Sequence, residues 1–219
     1  MNAVVLKVGG ASTAGIAAAV ERLGARVCVV HGAGPQISAE MERRGLEVRF
    51  VRGRRVTTPE ALDVVRESFA QVRAAICAEL GARAVPLAGD EIGLEAVHVP
   101  ELGLVGRPVR SAPQAVLEAL AAGLVPVVSP LARGPLNVNA DEAAAALALG
   151  IGAARIHFLT DVPGVYQGGE LMRSLDAATV ESLVRSGAFE GGIVPKVLAA
   201  ARAAQSGMAA EIGTTLVVA

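Results

Sequence analysis

Lysine is nearly absent from this 219-residue chain. Of 20 basic residues only Lys7 and Lys196 are lysine, and the other 18 are arginine. Tryptophan is missing and aromatics make up 2% of the chain, so there is no platform on which bases could stack. With a formal charge of −1 there is no basic excess either, and no nucleic-acid partner is expected. Cysteine occurs twice, as Cys28 inside the apolar run "RVCVV" and as Cys77 inside an alanine-rich helical pattern. Neither has metal-ligand spacing, and both read as small buried hydrophobes in a reducing cytoplasm. No apolar stretch approaches the ~20 residues that span a bilayer, and no basic segment precedes a long apolar run at the start. A soluble cytoplasmic protein with no membrane partner is expected.

The chain is instead rich in core: 53% of it is hydrophobic, enough for one large α/β domain and too much for disorder. Apolar, β-branched runs predict strands at Ala3–Val8, Arg26–His31, Ala84–Leu87, Val125–Ser129, Arg155–Thr160 and Thr215–Val218. Helical patterns fall at Ala14–Leu23, Pro35–Arg44, Pro59–Leu80, Ala112–Ala122, Ala140–Leu149, Ala177–Ser186 and Val194–Gly207. This alternation implies an α/β fold, a mainly parallel central sheet covered on both faces. Two stretches interrupt it, 46–60 and 97–111, and both read as hairpin-like, the second joined around Gly103 and Gly106. No repeat or Pro/Ser-rich linker divides the chain, so a single domain over 1–219 is expected.

Ligands of open α/β sheets bind beyond the carboxyl ends of the strands. Four of the five segments that follow strands or open helices there are glycine-rich: "KVGGAS", "HGAGPQI", "DVPGVY" and "GAFEGGIVPK". One such loop is an ordinary tight turn; several on one sheet edge suit backbone N–H groups aimed at phosphate oxygens. The Walker A and GxGxxG patterns are absent, and so are the HRD and DFG triplets of protein kinases. In a chain where surface cations are arginine, both lysines lie beside a Gly-Gly pair, Gly9-Gly10 and Gly191-Gly192. A lysine is a compact point charge, suited to bracket a transferring phosphoryl group. "NVNAD" (137–141) supplies Asn137 to orient an acceptor and Asp141 to hold the lysines, with Asn139 or Asp141 also capping the following helix. In "VRGRRVTT", Arg52 and Arg54 read as a solvated charge run, whereas one arginine could clamp a carboxylate.

Eight segments in order make the chain similar to the N-acetylglutamate kinases of the amino-acid kinase superfamily. They are "KVGG", "VVHGAGPQI", "GRRVTTPE", "GLVG", "PVVSPLA", "NVNADEAAAALA", "LTDVPGV" and "GGIVPK", and the likeness runs from Leu6 to about Gly207. It implies a three-layer αβα sandwich of the amino-acid kinase fold, with an acceptor-binding part over about 1–135 and a nucleotide-binding part over about 136–219. It implies transfer of the ATP γ-phosphoryl group to the side-chain carboxylate of N-acetyl-L-glutamate in arginine biosynthesis. Mg²⁺ would be bound through the nucleotide phosphates, with no metal ligands from the protein, and the assembly would be a homodimer. By the same resemblance Lys7, Lys196 and Asp141 are catalytic. Gly32, Ala33, Gly34, Arg55 and Asn137 would bind the acceptor; Gly9, Gly10, Thr160, Asp161, Val162, Gly164, Val165, Tyr166 and Gly192 would bind the nucleotide. A sibling kinase of another acylated acidic amino acid, such as an aminoadipate derivative, and a non-catalytic ligand-binding homologue are the alternatives. An ionised carboxylate acceptor needs no general base, so His31 is expected to brace its loop.

Three departures from that family carry expectations. Ala33 stands where a glycine is usual, at a cost of about 1 kcal/mol if φ there is positive. The segment after Gly207 is short, with one strand expected. No helix precedes the first strand, so feedback inhibition by arginine is not expected.

Overall fold

Six consecutive buried residues, three of them valine, form β1 (Ala3–Val8). The computed structural model describes residues 2–10, 15–24 and 26–219. After β1 come α1 (Ile16–Leu23), β2 (Arg26–His31), α2 (Gly34–Arg43), β3 (Phe50–Val51), β4 (Arg54–Arg55) and α3 (Pro59–Leu80). Next are β5 (Ala84–Ala88), the single turn α4 (Gly89–Ile92), β6 (Ala96–His98), β7 (Val105–Pro108), α5 (Gln114–Ala121) and β8 (Val125–Ser129). Then follow β9 (Leu131–Ala132), β10 (Leu136–Val138), α6 (Ala140–Gly150), β11 (Arg155–Phe158), β12 (Tyr166–Gln167) and β13 (Glu170–Leu171). The chain closes with β14 (Ser174–Asp176), α7 (Ala177–Arg185), α8 (Ile193–Gln205), β15 (Ala209–Ile212) and β16 (Thr215–Val218).

Eight strands pair in the order β14-β16-β15-β11-β1-β2-β8-β5, parallel from β15 to β5, with β16 antiparallel to β15. Side-chain alternation splits the core in two. Leu6, Val8, Val27, Val29 and Val127 face α1, α2 and α3. Val5, Cys28, Val30, Val128 and Ile156 face α5, α6 and α8. The result is the expected three-layer αβα sandwich, with a smaller sheet β6-β7-β10-β9 and the β3–β4 hairpin beside it. No described helix is long and apolar enough to cross a membrane.

Local rules explain most element ends. Thr58 accepts a hydrogen bond from Ala61 N (3.2 Å) with Pro59 at the first helical position, so α3 begins where cap and proline place it. Asn139 accepts from the backbone N of Asp141 (2.9 Å) and Glu142 (3.1 Å), making it the cap of α6 and leaving the Asp141 carboxylate free for other work.

Several expectations are corrected. The segment after Gly207 holds two strands: "AAEI" has weak β propensity and becomes β15 because it completes the ladder beside β11. The strand from Arg155 ends at Phe158 rather than Thr160, and "SLD" forms β14 by pairing with β16. Of the predicted first helix, Ala14 lies outside the described residues, as do Ala11 and Ser12 of the "KVGGAS" loop. Gly106 sits inside β7, where a Cβ would meet Ala96 Cβ at 2.7 Å; it permits sheet contact rather than a turn. Ala33 has φ −146°, so the cost of a positive φ does not arise.

His31 is fully buried between β2, β8 and α3. Its Nε2 lies 2.9 Å from Ser129 Oγ, which also accepts from Arg73 Nη1 (3.1 Å), and the ring meets Phe69 edge-on at 5.7 Å. The imidazole therefore braces the start of the "HGAG" turn. Burial pushes its pKa down from 6.5 to about 4, with the nearby Arg73 charge adding to the shift. Between these values the unfolded chain binds the proton and the folded one does not, so stability falls as pH drops from about 6.5 to about 4. The whole effect is worth up to about 3 kcal/mol. Urea unfolding at pH 8 and pH 5 should show this loss in the wild type and a much smaller pH dependence in His31→Gln; equal slopes in both would overturn it.

Candidate active site

Lysine at the second-last position of a fully buried strand requires a partner, and the fold supplies one. Lys7 shares its strand face with Ala3 and Val5 and points toward α6, where Asp141 Oδ1 lies 2.8 Å from Lys7 Nζ. Lys196, one turn into α8, places its Nζ 3.1 Å from the same oxygen. Both members of the Lys7–Asp141 pair are buried. Desolvation, reinforced by Lys196, lowers the Lys7 pKa although Asp141 opposes it. Burial alone would raise the Asp141 pKa; attraction to Lys7 and Lys196 outweighs that, and its carboxyl sits below the usual range.

This cluster forms one wall of a cleft of about 310 Å³ beyond the carboxyl ends of β1 and β2. Gly9, Gly10, Gly32, Ala33, Gly34, Arg55, Asn137 and Gly192 also line it. The N-termini of α2 and α8 open here, and neither carries a side-chain cap. Pro35 and Pro195 have no N–H and Val194 N donates to Gly191 O (3.3 Å), so the donors left in these first turns are few, Gly34 N and Gln36 N at α2 and Ile193 N at α8. Gly10 must be glycine: a Cβ would come within 2.7 Å of Ala33 Cα. The loop after β1 thus rests on the turn after β2, tied by a hydrogen bond from Gln36 Nε2 to Gly10 O.

Arg55 is buried at 6% exposure and lines the cleft. Its guanidinium donates to Gly34 O (3.1 Å) and Ser38 Oγ (2.8 Å), contacts Met41 Sδ (3.4 Å) and stacks over Phe50 at 4.5 Å. Among the described residues no carboxylate lies within ion-pair distance of it. Burial pushes its pKa down to about 10. Asn137 donates to Thr57 Oγ1 (3.0 Å), and Thr57 Oγ1 donates to Arg55 O (2.9 Å), linking the two cleft residues through the backbone.

Arg54 requires a correction. It is not solvated: it is half-buried and binds Glu142 through Nε (3.2 Å) and Nη2 (2.8 Å), whereas Arg52 is exposed as expected. With Arg54 neutralised by Glu142, the described residues set one carboxylate, Asp141, against Lys7, Lys196 and Arg55, so the cleft carries two positive charges in excess. Such a buried excess demands an anionic ligand.

The segment 159–166 leaves the end of β11, next to β1, through Leu159 N donating to Lys7 O (2.9 Å). Val162 and Tyr166 are exposed; Val165 is buried, and its N–H donates to Thr215 Oγ1 (2.9 Å). Thr215 also fills the space a Cβ on Gly164 would need, at 2.5 Å. Thr160 Oγ1 accepts from Val162 N (3.4 Å), a local bond that bridges Asp161. These residues flank the cleft rather than line it. Reading the sequence alone assigned no role to Gln36, Phe50, Thr57 and Glu142, although Gln36, Thr57 and Glu142 lay within the motifs "HGAGPQI", "GRRVTTPE" and "NVNADEAAAALA".

A sheet edge that gathers uncapped helix ends and unbalanced lysines is built for handling small anions, and the sequence places it in a known class. Residues 2–214 match the amino acid kinase family, and the chain belongs to that family. It is 43% identical to an acetylglutamate kinase of Rubrobacter xylanophilus, covering 97% of this chain and 88% of that protein. It is 40% identical to an acetylglutamate kinase of Thermus thermophilus, covering 94% and 88%. Among solved structures, smu.665 from Streptococcus mutans superposes with a TM-score of 0.90 at 23% identity over 99% of this chain and 98% of that one. Carbamate kinase from Giardia lamblia bound to AMP-PNP gives 0.74 at 16% identity, covering 99% and 98%; both likenesses concern the fold.

Removing the one anion between two lysines leaves both ammonium groups unpaired. Asp141→Asn should therefore lower the unfolding free energy by about 3 kcal/mol at pH 7. Because the folded pKa lies below the unfolded value of 3.8, the wild-type advantage is complete above 3.8 and fades as pH falls through the folded value. Urea unfolding at pH 7 and pH 5 should give the same difference between the two proteins; a difference under about 1 kcal/mol at pH 7 would show that the cluster does not hold the fold.

Proposed function

We propose that this protein is an ATP-dependent kinase that phosphorylates the side-chain carboxylate of N-acetyl-L-glutamate, giving an acyl phosphate for arginine biosynthesis. The observation that carries the reading is the pairing, in one cleft, of two lysines sharing one aspartate and a buried arginine that has no carboxylate partner among the described residues. Relatives named acetylglutamate kinase at 40–43% identity over nearly the whole chain support the choice of acceptor.

In this reading Arg55 takes the α-carboxylate of the acceptor as a two-pronged partner, as a planar guanidinium does best. Asn137 and the backbone of Gly32, Ala33 and Gly34 at the start of α2 hold and aim the remainder. ATP supplies the phosphoryl group; the described residues form no carboxylate or histidine cluster that would hold a metal by itself, so Mg²⁺ would enter with the nucleotide and would supply further neutralising charge. The cleft suits a polyphosphate: glycines 9, 10 and 192 allow close approach, and the start of α8 offers the Ile193 N–H and the positive end of the helix dipole. Thr160, Asp161, Val162 and Tyr166 form the surface for the rest of the nucleotide, with Gly164 and Val165 anchoring that loop from beneath. The acceptor part then comprises about 1–135 and the nucleotide part about 136–219.

The acceptor carboxylate oxygen forms a bond to the γ-phosphorus while the bond from that phosphorus to the bridging oxygen breaks, and ADP leaves. No proton moves, because the carboxylate is already ionised. What the chain must supply is alignment and charge neutralisation. Lys7 and Lys196 stabilise the charge that spreads over the transferring group, and Asp141 holds them apart at a fixed spacing. A homodimer in the cytoplasm, where Cys28 and Cys77 stay free thiols, completes the reading.

Coupled ADP-release assays with N-acetylglutamate, N-acetylaminoadipate and glutamate test it. We expect turnover with N-acetylglutamate, and kcat lower by roughly 100-fold or more in Lys7→Ala and Lys196→Ala with folding intact. Arg55→Ala should raise the acceptor KM while leaving the ATP KM in place. Faster turnover of the aminoadipate derivative would reassign the acceptor, and unchanged kcat in either lysine variant would sink the clamp.

A further inference from the structure

The β3–β4 hairpin carries Arg55, yet it consists of two strands of two residues each and lies outside both larger sheets. A ribbon of that size does not hold its own shape in water. Its turn residues Arg52 and Gly53 have φ of 49° and 77°, the left-handed pair of a tight hairpin turn, and the non-glycine one is strained there. Contacts from elsewhere must fix it. Glu142 accepts from Arg54 Nε at 3.2 Å and from Nη2 at 2.8 and 3.1 Å, with both side chains mostly buried. Asn139 Nδ2 donates to Gly53 O at 3.1 Å. A Cβ on Gly53 would reach Pro195 Cγ at 2.7 Å, so the turn rests against the residue before Lys196.

Neighbouring residues of a strand point to opposite sides. Arg54 reaches across to α6 while Arg55 turns toward α2, so the anchoring of the first sets where the second stands. The geometry points to Glu142 as a positioning residue. Through Arg54 it fixes the hairpin so that the Arg55 guanidinium keeps its distance from the Lys7–Asp141–Lys196 cluster. Glu142 thereby governs affinity for the acceptor's anionic group rather than the rate of phosphoryl transfer. This rests on the function proposed above. Arg202 approaches Glu142 only to 3.8 Å and is 57% exposed, so it adds little to the anchor.

The test is a double-mutant cycle of Arg54→Gln and Glu142→Gln, with Arg202→Ala as control, read by kinetics and by hydrogen exchange. Each single variant should raise the acceptor KM roughly tenfold, about 1.4 kcal/mol, with kcat within about twofold and the ATP KM unchanged. The double variant should be no worse than either single one, since the same bond is lost. Amides of residues 50–56 should exchange faster in both singles and at the wild-type rate in Arg202→Ala. An unchanged acceptor KM, additive losses, or an equal rise in the ATP KM would overturn the assignment. The two readings separate cleanly: a wild type inactive on N-acetylglutamate would remove the function, whereas unchanged exchange in the hairpin would remove the anchor.

Discussion

One carboxylate oxygen organises this molecule. Asp141 Oδ1 is within hydrogen-bond reach of both lysines in the chain, at 2.8 and 3.1 Å, in a place with almost no solvent. Two ammonium groups that close repel each other strongly once water is removed, and only an anion between them makes the arrangement tolerable. The position at the start of α6 helps, because the helix end favours negative charge. Through this oxygen β1, α6 and α8 are locked in mutual register, and the cleft takes its shape from that lock.

A single aspartate does not finish the charge balance. Arg55 is buried nearby with no carboxylate partner among the described residues, and the N-terminal ends of α2 and α8 add partial positive charge. The cleft is thus an electrostatic template for something that bears several negative charges. Anions brought together repel in water; the fixed positive charge of this cleft offsets such repulsion without reorganisation. Burial of these cations is costly to stability, and the cost is concentrated at this one edge of the sheet.

The secondary structure around the cleft was legible because local and global signals agree there. β1, β2, β8, β16 and α3 begin and end where the hydrophobic runs, the Thr58 cap and Pro59 say they should. Lysine scarcity made Lys7 and Lys196 stand out, and "NVNAD" named their partner. Other features left no local trace. "AAEI" becomes a strand only because β11 offers an unpaired edge. Arg54 looked like part of a solvated charge run because its partner lies 88 residues away. The concern over Ala33 dissolves because the turn uses an extended φ at that residue and reserves tight packing for Gly10.

By itself, then, the sequence determined the layers, the strand polarity of the sheet centre and the identity of the three charged residues at its edge. These depend on periodicity, capping and composition, which are written within a few residues of one another. The tertiary structure alone decided that both lysines meet the same oxygen and that Arg55 has no carboxylate partner among the described residues. It also decided that Arg54 is tied to Glu142. Those are matters of distance between remote segments, and distance is set only when the two faces of the sheet are packed.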